Sequence, residues 1–320
     1  MRILFWGSSD FSIPSLEILS REHKIAAVIT NPDSVCGRGM KNICETTVKS
    51  FAVAHNIPVI QPASAKEAGF NEKIQDLNPD LSVVVSFGMI LPEYLLSIPK
   101  FSSINLHASL LPSYRGAAPI QAALEHGDRR TGVTVQYMVK EVDRGDIIIQ
   151  SSSDIKPEDN YKSLSERLAV EGSKILLKAV SAIENGTVKA VKQDDSAATF
   201  TKMLKKADGL VDFSVQSSGD IFNKWRAYSL WPGIFAFYNG PAGRINITLV
   251  DIKNVSGDAG LETGRTGFIV QADKGGLVIS CKEGFLSLLR LKPWGKKEMD
   301  YISFINGYKP ECGRIFKGEQ

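Results

Sequence analysis

The chain has 320 residues, 43% of them hydrophobic and 23% charged, with a net charge of +3. That length suits two domains, or one large one, and is ample for a sizeable core; the balance is that of a soluble globular protein, not of a disordered chain. No apolar run reaches the ~20 residues needed to cross a bilayer, and so weak a positive charge neither requires nor excludes a nucleic-acid partner.

The opening MRILFWGSSDF has a short apolar run closed by Gly-Ser-Ser. It is too short for a secretory signal and reads as a first strand over residues 2–6, so a cytoplasmic protein is expected. A helix is expected after it, from Pro14 through Leu16, Ile18 and Leu19. Strands follow at 25–30 and 58–62, with helical spacing over 48–56 between them. NEKIQDLNPD ends another helix, LSVVVSFG (81–88) reads as a fully buried parallel strand, and SSINLHA (102–108) as the next. Short apolar strands alternating with helical patterns specify an α/β fold with a doubly wound, mostly parallel sheet. Residues 131–139 and 146–155 alternate with period two and read as an antiparallel pair added to that sheet. A long helix runs over 161–186 and stops at Gly186, a good C-cap.

The texture then changes. Residues 187–207 are polar and read as a linker. A short helix over 221–233 is closed by Pro232-Gly233, and regularly spaced alternating strands follow, as in a small C-terminal β-barrel. The expected division is therefore 1–186, 187–207 and 208–320. Cysteines 36, 44, 281 and 312 form no C-x-x-C pair, which argues against a metal or redox site.

The first βα turn, FWGSSDFS, has one glycine and lacks the dinucleotide fingerprint, and no phosphate-binding P-loop occurs. Nicotinamide and ATP chemistry are disfavoured there. Asn105 and His107 are two apart on a strand, so their side chains share a face. They sit at a strand's carboxyl end, where ligands bind in doubly wound sheets. An amide and an imidazole converging on one spot can stabilise oxygen charge developing on a carbonyl. A purely structural pair is the competing account. Asp143, in KEVDRGDII, supplies a carboxylate that favours a charged imidazole and fixes its orientation; Asp146 competes for that role. No G-x-S-x-G nucleophile elbow is present, so the set suits direct acyl transfer without a covalent intermediate. In the second half, Lys292, Lys296 and Lys297 cluster with Trp294, as a phosphate-contacting surface or as a charged turn.

The stretch N-x-H-x-S-L-L-P, then Y-R-G-A-A-P-I-Q and D-x-G-D, resembles the formyltransferases that use 10-formyltetrahydrofolate. The likeness runs along nearly the whole chain, through GSSDFSIPSLEIL, VVVSFGMILPEYLL, VDRGDI, ADGLVDFS, LWPG and WGKKEMDYISFING. The first half matches the wider family; LWPG, the small barrel and GKKEM match the branch acting on methionyl-tRNA. The resemblance implies that Asn105, His107 and Asp143 are catalytic. It implies folate contacts from Ser109, Leu110, Leu111 and Pro112, and from Phe87, Gly88, Met89, Ile90 and Leu91, although FGMILP also reads as plain core. The loop 32–41 resembles the family's insertion that meets the acceptor end of the tRNA, with Arg38 and Lys41 as contacts beside Lys292, Lys296 and Lys297; the stretch after it lacks the family's usual proline and second lysine. Implied partners are 10-formyltetrahydrofolate as co-substrate and initiator methionyl-tRNA, with no metal and no membrane, and a monomer is the simple expectation. The alternatives are a formyltransferase for an amino-sugar nucleotide, a non-catalytic folate- or RNA-binding protein of the same fold, and a hydrolase releasing formate from the folate.

Overall fold

The computed structural model describes the whole chain except residues 37–41, 242, 256–264, 314–315 and 318–320. The chain divides into two compact units. The first comprises Met1–Ile120, Arg129–Ile155 and Ser163–Lys202, and the second Gln121–Asp128, Lys156–Lys162 and Met203–Gln320.

In chain order, the elements up to residue 201 are β1 (Arg2–Gly7), α1 (Ile13–Glu22), β2 (Lys24–Ile29), β3 (Ser34–Cys36), β4 (Asn42–Cys44), α2 (Thr47–Ala54), β5 (Val59–Ile60), α3 (Phe70–Asp76), β6 (Leu81–Val85), α4 (Glu93–Leu96), β7 (Ser103–His107), β8 (Arg115–Gly116), α5 (Pro119–Glu125), β9 (Arg130–Tyr137), β10 (Ile147–Asp154), α6 (Tyr161–Glu184) and β11 (Phe200–Thr201). The main sheet runs β10-β9-β7-β6-β1-β2-β5. Neighbours along β7-β6-β1-β2-β5 pair in parallel, and β9 and β10 are antiparallel additions at one edge. This is the doubly wound sheet with an antiparallel pair that the alternation specified.

Physical chemistry explains the placement. The central strands are buried along nearly their whole length, which only a run such as LSVVV tolerates. Trp6, Phe70 and Phe87 pack edge-to-face against one side of the sheet, with ring centroids 5.4–6.0 Å apart. In α6, Leu164, Leu168, Ile175, Leu176, Ala179, Val180 and Ile183 repeat at helical spacing and form its buried face. Strand β6 stops at Val85, three residues before the expected end. Ser86 takes φ +50° there, and the Ser12 hydroxyl caps the Val85 carbonyl at 2.6 Å.

The polar stretch 187–207 is stitched to the first unit as far as Lys202. Val191 and Ile147 exchange two backbone hydrogen bonds of 2.8 Å, and β11 pairs in parallel with β8. It looks like a linker in sequence because these bonds are made by main chain and polar side chains, which leave no apolar periodicity.

The second unit contains α7 (Ser218–Ala227), β12 (Ile234–Gly240), β13 (Gly243–Val255), β14 (Ile269–Asp273), β15 (Gly276–Ser280), β16 (Phe285–Pro293), β17 (Met299–Asp300), α8 (Tyr301–Tyr308) and β18 (Phe316–Lys317). Helix α7 begins three residues before the expected start, because Ser217 and Asp220 form a reciprocal capping box, and it ends at Ala227, well short of Pro232-Gly233. The sheet order is β14-β15-β16-β13-β12-β18, with β17 on β16. The sheet curls into a small barrel: the N–H groups of Gly313 and Phe316 reach the carbonyls of Ile269 and Gly267 at 2.9 and 2.8 Å, joining its two edges. Tyr238, Phe304, Phe316 and Phe213 form an aromatic core inside it. Burial pushes the Cys281 thiol up to about 12, whereas Cys312 is exposed. Cys44 is disulfide-bonded, which the absence of a C-x-x-C pair did not suggest. Among the described residues, no helix is long and apolar enough to cross a membrane.

The turn between β9 and β10 is tightly constrained at Gly145. A Cβ there would lie 1.7 Å from the Tyr137 carbonyl oxygen, a backbone atom that cannot swing aside. Gly145→Ala is therefore expected to displace the turn and cost about 2 kcal/mol or more of stability. Urea denaturation of the variant beside the parent protein measures this.

Candidate active site

The carboxyl ends of β1, β6 and β7 lie side by side, and the loops leaving them are tied together. The Ser8 N–H donates to the Ser86 carbonyl at 3.2 Å, and the Ser9 and Ser86 hydroxyls meet at 2.8 Å. On β7, Asn105 and His107 share a face, as the two-residue period requires. The loop after His107 then folds back over it. Tyr114 adopts φ +59°, and its carbonyl oxygen accepts from His107 Nε2 at 2.9 Å. Gly116 has φ +114°, and a Cβ there would lie 2.2 Å from the Thr201 carbonyl, so the Arg-Gly turn has no room for another residue.

Asp143 comes from the turn between β9 and β10, at φ +53°. Its carboxylate faces both β7 side chains. Oδ2 is 3.5 Å from His107 Nδ1, and Oδ1 accepts from Asn105 Nδ2 at 3.4 Å. Two shorter bonds anchor it: the Gly116 N–H donates to Oδ2 at 2.8 Å and the Gln136 amide to Oδ1 at 3.1 Å. The difference in length separates two functions. Gly116 and Gln136 hold the carboxylate, while the long contacts from Asn105 and His107 are the ones that can turn toward another oxygen. His107 and Asp143 are only 6% and 12% exposed at their side chains, so electrostatic interactions between them are little screened. The Asp146 side chain is exposed, and its carbonyl accepts from the Tyr137 N–H at 2.9 Å just before β10.

The Ser109–Pro112 loop is rigidly held. Ser109 is fully buried, with its hydroxyl donating to the Ser113 carbonyl at 2.6 Å. The Thr134 hydroxyl donates to the Ser109 carbonyl and accepts from the Leu111 N–H, and the Gln150 amide reaches the Leu111 carbonyl at 2.8 Å. Leu110 and Leu111 lie inward, and the Leu111–Pro112 peptide is cis. In the second loop, Phe87 and Leu91 are core residues, Met89 packs on the same cluster, Gly88 takes φ +82°, and Ile90 is 80% exposed. FGMILP is thus core at two positions and surface at another.

Sequence reasoning missed Gln136, Gln193, Thr134 and Thr199, each of which positions the loops above. They lie 7 to 85 residues from their partners, and no local pattern marks them. Alongside Gly116 is a cavity of about 540 Å³ bordered by Arg115, Val142, Arg144, Phe200 and Thr201. Arg144 and Arg115 both pair with Asp195 and hold its carboxyl below the usual range. Val142 and Phe200 are exposed at its rim. In the second unit, Lys292, Lys296 and Lys297 are exposed around Trp294, itself 73% exposed, and Lys206 Nζ lies 5.0 Å from that ring's centroid. Arg38 and Lys41 lie outside the described residues.

Comparison with known proteins shows the family. Residues 1–180 match the formyl transferase family and residues 203–309 the formyl transferase C-terminal domain. The chain is 40% identical to the methionyl-tRNA formyltransferase of Sulfurihydrogenibium sp. (strain YO3AOP1) over 320 residues, covering 99% of this chain and 100% of the relative. It is 39% identical to that of Fusobacterium nucleatum over 308 residues, covering 96% and 97%. Among solved structures, the N-formyltransferase from Helicobacter canadensis, in complex with folinic acid and dTDP-3-aminofucose, shares the fold with a TM-score of 0.66 at 18% identity, over 90% of this chain and 98% of that one. The chain belongs to the formyltransferase family, in its two-domain methionyl-tRNA formyltransferase branch.

Proposed function

We infer that the protein transfers the formyl group of 10-formyltetrahydrofolate to the α-amine of initiator methionyl-tRNA. The observation that carries this reading is the convergence of Asn105, His107 and Asp143 in a chain 40% identical, end to end, to a methionyl-tRNA formyltransferase. The amine attacks the formyl carbon, a new C–N bond forms, and the bond to N10 of the folate breaks. One proton leaves the amine and one arrives at N10, so tetrahydrofolate departs neutral at that nitrogen. Asn105 Nδ2 and His107 Nδ1 straddle one carboxylate at 3.4 and 3.5 Å, and both can donate to the oxyanion of the tetrahedral intermediate. Asp143 orients the imidazole through that contact and keeps it charged, so that Nδ1 donates while Nε2 is held by the Tyr114 carbonyl.

The folate lies along the carboxyl ends of the strands, against Ser109 to Pro112 and Phe87 to Leu91. Ser109 contributes through the loop's shape, since its hydroxyl is committed to Ser113. The cavity beside Gly116 suits the aminoacyl end: Val142 and Phe200 are apolar, exposed and next to the turn that holds Asp143, and a thioether side chain packs well on an aromatic ring. The catalytic half, proposed as residues 1–186 with the 187–207 stretch, performs the chemistry. The half from 208 on supplies phosphate contacts through Lys292, Lys296 and Lys297, with Arg38 and Lys41 at the acceptor end. The protein is proposed to work as a cytoplasmic monomer without a metal.

Offered 10-formyltetrahydrofolate with initiator methionyl-tRNA, elongator methionyl-tRNA and a UDP-amino sugar in parallel, the enzyme is expected to formylate the initiator fastest. Transfer confined to the sugar would overturn the assignment. His107→Ala and Asp143→Asn should each lower kcat by roughly 10²- to 10⁴-fold, with the KM for the folate changed far less; steady-state kinetics on both substrates reads this. Phe200→Ala should raise the KM for methionyl-tRNA by roughly tenfold, about 1.4 kcal/mol, and leave that for the folate within about twofold.

A further inference from the structure

The 187–207 stretch contributes a buried polar side chain to the first unit. Gln193 is buried and bonded on every side. Its Oε1 accepts from Arg115 Nε at 3.1 Å and from Nη2 at 2.8 Å. Its Nε2 donates toward the Gly145 carbonyl at 2.7 Å, the Asp143 carbonyl at 2.9 Å and Gln136 Oε1 at 3.1 Å. The amide has only one consistent orientation, because a guanidinium only donates and a main-chain carbonyl only accepts.

The contacts form a directed relay. Arg115 donates to Gln193, Gln193 to Gln136, and Gln136 to the Asp143 carboxylate. Each amide fixes the sense of the next. Without Gln193, the Gln136 amide loses the donor that holds its oxygen away from Asp143, and a flipped amide would present oxygen to a carboxylate. The same side chain also ties down the main chain at Asp143 and Gly145, the turn that aims the carboxylate. Arg115, at the head of the relay, is adjacent to Gly116, whose N–H is the other anchor of Asp143. The Gln136 grip on the carboxylate therefore traces back to Gln193.

We propose that Gln193 is a positioning residue for formyl transfer, acting through Gln136 and the Asp143 turn to set the direction in which the carboxylate meets His107 and Asn105. The proposal rests on the catalytic reading of Asp143. It is tested with Gln193→Met, which keeps length and removes the polar relay, and Gln193→Glu, which keeps the Arg115 contacts but turns a carboxylate oxygen on two carbonyls. Both are compared with the parent protein and with Asp143→Asn, using 10-formyltetrahydrofolate and methionyl-tRNA, with turnover expressed per tetrahydrofolate-binding site so that misfolded protein drops out. Each Gln193 variant should lose about 10- to 100-fold in kcat, with the KM for the folate within about twofold. In the Asp143→Asn background, Gln193→Met should cost less than about threefold further, since the residue it serves is already disabled. A kcat within twofold of the parent, or a loss that multiplies fully with that of Asp143→Asn, overturns the proposal. If Asp143→Asn itself keeps its turnover, the catalytic reading fails instead, which is a separate result. Should Gln193→Met yield no folate-binding protein, Gln193→Glu decides, because its Arg115 side is intact.

Discussion

The Asp143 carboxylate is gripped at 2.8 Å by a main-chain amide and at 3.1 Å by a side-chain amide, and the catalytic half of the chain is arranged around making that grip possible. Gly116 can donate only because the Arg-Gly turn takes a positive φ and lies flat against Thr201. Gln136 can donate only because β9 lies antiparallel to β7, with Gln136 opposite Asn105 in the register. Asp143 itself is held at φ +53°, a conformation that costs of order 1–3 kcal/mol for a non-glycine residue and persists only where surrounding bonds impose it. Those bonds are the amides just named. The strain and the network that sustains it sit at one place, beside His107.

The rest of the sheet sets the stage for this. Parallel strands bring their carboxyl ends to one edge, and there the main-chain groups no longer pair with neighbouring strands. Hydroxyls take over that duty. Ser12 caps Val85, Thr134 clamps Ser109 and Leu111, and Thr199 holds Tyr114. The loop after His107 is thus irregular in path but tied at several points by hydrogen bonds, which fix its shape without helix or strand.

Much of this was legible in the sequence. The alternation of apolar runs with helical spacing gave the strand order's parallel core, and period-two alternation at 131–139 and 146–155 gave the antiparallel edge. The two-residue spacing of Asn105 and His107 placed them on one face. What remained hidden has a common physical cause. Gln136 and Gln193 act across 57 residues of chain, and Arg115 and Gln193 across 78. Such pairings leave no periodic trace, because a buried amide needs partners in space and none in sequence. The 187–207 stretch reads as a linker because most of it is exposed, whereas Gln193 within it is buried among carbonyls and a guanidinium. The start of α7 was missed on a simpler count, since Ser217 and Asp220 spell a capping box three residues before the apolar repeat.

The path of the chain through the first unit has a consequence for how the protein is made. On a ribosome, the side chains clustered at the strand ends emerge early, with His107 about a third of the way along and Asp143 before the midpoint. Gln193, which donates to the Asp143 carbonyl, arrives fifty residues after Asp143, and β11, against which the Arg-Gly turn lies, comes last at Phe200–Thr201. A nascent chain that has finished β10 and even α6 already contains Asn105, His107 and Asp143, yet still lacks Gln193 and β11. Synthesis therefore completes this cluster at its periphery, and the network around Asp143 closes only once residue 201 has emerged.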